Sequence, residues 1–145
     1  MSFAYTRAAE ALGKADLDLD TIHLRAFLVM SNTTADTERG ANVVDDFTTL
    51  DEYDGAAYVR KTLAGVTLTR NDTDHRIELA ADPIVWTALG IGTRQCVGVV
   101  VYAFVTDDTD SIPLAFVNGT GFPFDGGGST VTVTPNAAGI VQITT

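Results

Sequence analysis

The chain has 145 residues, 46% of them hydrophobic, and its 19 aspartates and glutamates outnumber nine lysines and arginines for a net charge of −10. This length fits one packed domain, and the apolar content excludes a chain that is disordered throughout. The negative charge repels phosphate backbones and anionic lipids, so neither nucleic acid nor a membrane is an expected partner.

The N-terminal residues 3–14 (FAYTRAAEALGK) are rich in helix-forming side chains. One face at helical spacing collects Tyr5, Ala8, Ala9 and Leu12. The pattern predicts a short amphipathic helix, and we expect residues 1–20 to form a helical arm or lid beside a β-rich body of residues 21–145. Residues 1–12 contain no continuous apolar stretch, so no secretory signal is predicted.

In residues 21–30 (TIHLRAFLVM), every second side chain from Ile22 to Met30 is apolar. This alternation predicts the first strand. The following residues 31–59 are less regular: turn-forming side chains stand at both ends, and residues 43–50 fit one or two helical turns. Connections of this length without regular structure are uncommon inside compact domains and often make contacts. We therefore expect a long loop excursion that touches a partner.

From residue 58 onward, short β-branched runs alternate with turn residues. Predicted strands cover residues 66–69, 76–79, 84–87, 95–105, 112–117, 130–134 and 140–144. The first two flank the polar loop 71–74 as a hairpin, and residues 95–105, the most apolar run, predict a strand buried on both faces at the centre of a sheet. That run is about half of the roughly 20 residues of a membrane-spanning helix.

Together these elements predict a mainly β, single-domain fold over residues 1–145. Seven or eight short strands with turns between them are typical of an antiparallel β-sandwich or a barrel-like fold. The short N-terminal helix and the long loop excursion complete the predicted architecture.

No residue pattern predicts a metal site. The spacing Asp16-x-Asp18-x-Asp20 begins like a calcium loop, but Thr21 and Phe27 stand where glycine and glutamate are required. The two histidines lie apart with no second ligand at zinc spacing. A denser acidic loop contains Asp107, Asp108 and Asp110. Aspartate and threonine are ordinary turn formers, so a solvated turn is favoured there over a cation site.

No residue pattern predicts catalysis either. The serines lack the G-x-S-x-G context of an activated nucleophile, and Cys96 lies among valines that predict a buried thiol. The run Gly126-Gly127-Gly128 lacks the lysine and hydroxyl residue of a phosphate-binding loop. No pair of acidic and basic groups stands out. The chain is therefore predicted to be no enzyme and to hold no cofactor.

The aromatic residues divide into two groups. Trp86, Tyr102 and Phe116 lie on predicted strands, where aromatic side chains usually pack in the core. Phe122 and Phe124 flank Pro123 in the glycine-rich loop 119–128. Exposed aromatics in such a loop suit a protein contact, and folding back onto the core is the alternative.

Several spaced motifs resemble a family of small tailed-bacteriophage virion structural proteins. They are residues 58–86, GVVVY at 98–102, SIPLA at 111–115, GFPF at 121–124 and AGIVQIT at 138–144. The resemblance runs from residue 58 to the end and is weaker in the N-terminal helix and first strand, whereas residues 32–57 match no family motif. It implies a β-rich accessory protein of the particle, made in the host cytoplasm, with no catalytic residues.

The favoured function is a capsid decoration protein that binds the outer surface of the head shell. Its partner is then the major capsid protein, bound through sheet edges and loops by a symmetric homo-oligomer such as a trimer. The predicted contact residues are Phe3, Tyr5 and Leu12 in the arm and Phe122, Pro123 and Phe124 in the loop.

Two alternatives remain from the sequence. One is another virion position, either a head-fibre base or a component of the tail or neck. The other is a carbohydrate-binding module that uses Trp86 or Phe122, or a calcium-dependent binding module that uses Asp107, Asp108 and Asp110.

Overall fold

Antiparallel strands form most of the regular structure. The computed structural model of the protein describes residues 2–18, 23–137 and 139–144. In chain order these ranges contain β1 (Phe3–Ala4), α1 (Thr6–Gly13), β2 (His23–Met30), the 3-10 turn η1 (Val44–Asp46), β3 (Lys61–Thr62), β4 (Thr67–Asn71), β5 (Arg76–Ala80), β6 (Ile84–Leu89), β7 (Cys96–Phe104), β8 (Ile112–Val117), β9 (Ser129–Val133) and β10 (Val141–Thr144).

The strands form three antiparallel sheets. The largest has the order β1-β8-β7-β2-β3, the second has the order β10-β5-β4, and the third pairs β6 with β9. Strand β7 lies at the middle of the largest sheet, and its residues from Val99 to Ala103 are all buried. The mainly β, sandwich-like fold and the doubly buried central strand predicted from the sequence are therefore confirmed.

The five-stranded sheet has a buried cluster on each face, because alternate side chains of a strand point to opposite sides. On one face, Leu28 and Val101 pack in a cluster with Trp86, Leu79 and Val141 from the smaller sheets. The smaller sheets therefore form the second layer of the sandwich.

The opposite face of that sheet is covered by the loop excursion. Phe27 and Tyr102 from the sheet pack there in one cluster with Ala35, Val44 and Phe47 from the loop. The loop contains only one 3-10 turn, η1, in place of the one or two helical turns that the sequence allowed. Its length is explained by this covering role, since the sheet face would otherwise expose large apolar side chains.

The N-terminal segment, predicted as a helical arm or lid, contains a short strand before its helix. Phe3 and Ala4 pair with Phe116 and Ala115 as strand β1, and the helix begins only at Thr6. Backbone pairing with β8 here overrides the helix propensity of the first residues. Helix α1 then buries Ala8 and Ala11 in the core, so the described residues 2–18 pack as part of the body.

The other strand boundaries follow the sequence closely. The hairpin around residues 71–74 is formed by β4 and β5, and β6 extends two residues beyond its predicted end to Leu89. The start of the predicted first strand lies at residues 21 and 22, outside the described residues. Because α1 spans only Thr6–Gly13, no helix in the described ranges reaches the length of a membrane span.

The single cysteine is the basis of a chemical test of this core. Cys96 is completely buried, and burial raises the pKa of its thiol to about 12. The thiolate is the reactive form, so the native protein is expected not to react with a disulfide reagent at pH 8, and to release one equivalent of product after unfolding in guanidinium. Rapid stoichiometric reaction of the native protein would show that the core opens at the start of β7.

Candidate interaction surface

Two of the three predicted N-terminal contact residues, Phe3 and Tyr5, make contacts within the protein. The Phe3 ring stacks on Phe116 at 5.5 Å between centroids, and the guanidinium of Arg39 lies 4.3 Å from the Phe3 centroid. Tyr5 is fully buried, and its hydroxyl donates a hydrogen bond of 2.6 Å to the carbonyl of Ala35. Burial raises the pKa of the Tyr5 hydroxyl. Tyr5 therefore anchors the loop excursion to the N-terminal segment and offers no surface to a partner, which corrects its prediction as a contact residue.

The third N-terminal residue, Leu12, is half-buried and packs against the sandwich core from α1. Its contacts join the helix to the body. Of the predicted N-terminal residues, Phe3 and Leu12 thus keep part of their surface, while Tyr5 keeps none.

The predicted residues of the glycine-rich loop fold back onto the core and remain partly exposed. Phe122 and Phe124 are half-buried with their ring centroids 5.4 Å apart, and Pro123 between them is exposed. The backbone of Phe124 exchanges two hydrogen bonds with Cys96, of 2.8 and 3.0 Å. The loop is therefore held by β7, while Pro123 and part of each phenylalanine remain exposed.

The structure brings the N-terminus and the glycine-rich loop together. The Ser2 hydroxyl donates to the carbonyl of Asn118 at 2.6 Å and accepts from the Asn118 amide at 3.0 Å. Beside this contact lie two cavities, of about 310 and 720 Å³, which share Ser2, Val117, Val133 and Asn136. The two cavities therefore adjoin and share part of their walls, and together they make one surface feature.

We call this feature the terminal groove. It is lined by residues 2–4, 117–122, 124–126, 129, 131–136 and 139–142, with Ile84, Val99 and Val101 at its inner end. Among the described residues of this lining, Asp125 is the only charged one. Charged side chains make up 19% of the sequence, so the groove is strongly depleted in charge. Depletion of charged residues is typical of the buried part of protein interfaces.

Tyr53 from the loop excursion holds the outer wall of the terminal groove. Its buried hydroxyl donates to the carbonyl of Gly90 at 2.8 Å and accepts from the amides of Gly92 and Gly126 at 2.9 and 3.0 Å. A Cβ atom on Gly126 would lie 2.1 Å from the Gly90 carbonyl oxygen, so only glycine permits this approach. One tyrosine hydroxyl therefore fixes the start of the glycine run against the end of β6.

Replacing Tyr53 with phenylalanine is expected to lower the free energy of unfolding by about 2–3 kcal/mol, because one buried carbonyl and two amides lose their partner. The hydrogen-exchange rates of the backbone amides of residues 124–128 should rise at the same time. Tyr58→Phe is the control: its hydroxyl bonds Glu52 and the Leu28 amide, away from the groove. It should destabilise the protein without faster exchange in the glycine-rich loop, and equal exchange in the two variants would contradict the role of Tyr53.

The acidic loop 107–110 uses its carboxylates within the protein. The Asp107 carboxylate accepts hydrogen bonds from the amide and the hydroxyl of Thr109. The Asp110 carboxylate accepts hydrogen bonds from the amides of Thr106 and Asp107. The Asp108 carboxylate forms an ion pair with Arg60. The backbone hydrogen bonds to Asp110 lower the pKa of its carboxyl. In the described part of the chain no three acidic, histidine or cysteine side chains group as a metal site.

The aromatic alternative is also changed by the structure. Trp86 is completely buried, and its indole donates to the carbonyl of Val59 at 2.9 Å. A sugar-binding ring must be exposed to stack on the sugar, so Trp86 does not serve as such a platform. Phe122, the other aromatic residue of the carbohydrate-binding alternative, is partly exposed.

Sequence patterns alone did not identify Ser2, Tyr53 or strand β9 as parts of this surface. Nothing local marks Ser2 or Tyr53, because their partners lie 116 and 37 to 73 residues away in the chain. For β9 the sequence does contain a signal, because residues 129–134 (STVTVT) carry no charge.

A scan against protein-family models finds no match, and searches of curated proteins and of solved structures find no significant match.

Proposed function

We propose that this protein is a capsid decoration protein of a tailed bacteriophage that binds the outer surface of the head shell through the terminal groove. The observation that carries the proposal is the contrast between a groove with one charged residue in its described lining and a chain with a net charge of −10. An acidic protein keeps a surface free of carboxylates where contact with another protein would bury them without partners. The motif resemblance to virion proteins supplies the partner, the major capsid protein.

The charge of the remaining surface supports an external position. Nineteen acidic against nine basic residues repel packaged DNA, so the outside of the shell is the favourable side. The proposal includes a symmetric homo-oligomer, such as a trimer, because shell lattices present their binding sites around symmetry axes. Light scattering of the purified protein measures that oligomeric state.

The first test is the copy number of this chain in purified virions of the source phage. Quantitative mass spectrometry against the major capsid protein should give a ratio near one or a simple fraction of it. A dozen copies or fewer would place the protein at a head-fibre base, the neck or the tail. Absence from virions would contradict the virion function and favour a free binding module, which a glycan array would then examine.

The second test changes the groove lining. Thr120 is exposed and lines the outer cavity, and Thr120→Asp adds a carboxylate there. It is expected to weaken binding to shells that lack the protein by at least about tenfold, which corresponds to roughly 1.4 kcal/mol. Val105→Asp is the matched control, because Val105 is 54% exposed and does not line the groove. Equal binding by the two variants would contradict the proposed binding face.

A further inference from the structure

The outer cavity of the terminal groove runs along the edge of strand β9. Its lining includes the four consecutive residues 131–134. Side chains of successive residues point to opposite faces of a sheet, so a groove that touches four in a row follows the edge of the strand. In the described residues, β9 pairs only with β6, and its other edge faces this groove.

Several other edges of the sheets are covered, guarded or short. Residues 56–64 run along the outer side of β6. The Gly90 amide donates to the Ala56 carbonyl at 2.8 Å, and the Asp82 amide donates to the Ala64 carbonyl at 2.9 Å. Strand β4 carries Arg70 on its edge, paired with Asp72. Strands β1 and β3 have two residues each and are too short to template pairing.

Strand β9 lacks these protections. Residues 129–134 read STVTVT, with no charge and no proline inside the run, and five of the six residues are β-branched. Proteins normally guard an open edge with lysine, proline, a bulge or a very short strand, because unpaired amides and carbonyls invite pairing. An unguarded edge with high strand propensity indicates a strand that is paired in the working state of the protein.

We propose that the β9 edge accepts one extended, uncharged segment of the shell protein as an added strand within the terminal groove. The inference rests on the proposed function and names the kind of partner segment. Residues 117–122 and 124–126 line the same cavity as β9, so a strand added at this edge also contacts that segment.

The lining also determines the chemistry of that segment. Phe122, Phe124 and Val131 offer apolar contact to alternate side chains of an added strand, and Asp125 is the only charged residue among the described residues of this wall. A segment with alternating apolar residues and no acidic side chain therefore fits, with its backbone bonded to β9.

The test is hydrogen exchange of the full-length protein alone, with purified shells, and with a capped probe peptide, acetyl-Ser-Val-Thr-Val-Thr-Val-Asn-amide. The peptide and the shells are each expected to slow exchange of the β9 amides by at least tenfold. The amides of β4, the guarded edge, should keep their rates.

Two matched variants separate the edge from general effects of charge. Thr132→Lys and Thr69→Lys each replace an exposed threonine on an edge strand, the unguarded β9 and the guarded β4 respectively. Thr132→Lys is expected to weaken binding of peptide and shells at least tenfold, and Thr69→Lys to leave it unchanged, with unchanged thermal melting of both. Thr130→Lys, also at an exposed position of β9, serves if Thr132→Lys does not fold.

The outcomes distinguish this inference from the function on which it rests. Shell binding with β9 amides that still exchange fast would overturn the inference and leave the decoration function standing. Protection by the peptide without any shell binding would overturn the function and the shell origin of the segment. If the β9 amides of the protein alone became protected at higher protein concentration, with a doubled molecular mass, the edge would bind a second copy of this chain and the inference would be wrong. If neither the peptide nor the shells protected the β9 amides, the inference would also be wrong.

Discussion

Replacement of Trp86 with alanine is expected to lower the free energy of unfolding by about 3–5 kcal/mol, the largest loss that we expect from a single side chain of this core. Trp86 is the largest of the fully buried side chains, and it packs between the five-stranded sheet and the smaller sheets. Its removal leaves a cavity in the sandwich core and strips the Val59 carbonyl of its indole partner. Urea unfolding followed by circular dichroism measures the loss.

The phenylalanine variant separates packing from hydrogen bonding at this position. Trp86→Phe keeps most of the apolar volume and loses the indole donor, so a smaller loss of about 1–2 kcal/mol is expected. A Trp86→Ala variant with nearly native stability would show that the ring is not part of the core. In that case the carbohydrate-binding alternative would regain its platform.

Replacement of Arg60 with leucine is expected to cost about 2–4 kcal/mol, because two carboxylates lose a shared partner. The guanidinium bonds both oxygens of Glu52 at 2.8 and 2.7 Å, pairs with Asp108, and lies 4.7 Å from the centre of the Phe27 ring. The side chains of Arg60, Glu52 and Asp108 are only 24, 25 and 32% exposed. Arg60 thereby joins the loop excursion to the loop after β7, and its loss should loosen the cover of the second sheet face.

Two control variants give this prediction a sharp comparison. Arg60→Lys keeps the charge but lacks the planar fork that bonds both carboxylates, so it should recover only part of the loss. Arg70→Leu removes the Arg70–Asp72 pair, in which both side chains are more than 70% exposed, and should leave stability unchanged. Equal stability of the Arg60→Leu and Arg70→Leu variants would show that the network contributes no more than a surface ion pair.

Both substitutions bear on the proposed function through the loop excursion. Trp86 binds that loop at Val59 and Arg60 binds it at Glu52, while Tyr53 between them holds the wall of the terminal groove. The excursion was expected to reach a partner directly. In the structure Ala35, Val44 and Phe47 of the excursion are buried against the sheet, whereas Val59 is 57% exposed, and the Tyr53 hydroxyl bonds Gly126 in the groove wall.

Local sequence patterns were sufficient for the longer strands. The apolar run at residues 95–105 predicted β7 and its central place because only a strand covered on both faces tolerates so many consecutive valines. The polar loop 71–74 predicted the β4–β5 hairpin because strand pairing across a short turn depends on neighbouring residues. Core positions for Tyr102 and Phe116 followed from the same alternation and are confirmed.

The sequence by itself determined that this protein is an acidic, mainly β domain with an uncharged stretch at residues 129–134, since composition and alternation are local properties. Only the tertiary structure decided that Tyr5 is an anchor, that the helix begins after a pairing strand, and that Ser2 meets Asn118. Those contacts join residues 30 to more than 100 positions apart, and long-range packing leaves no trace in a local pattern. The terminal groove exists for the same reason, because its walls come from both ends of the chain.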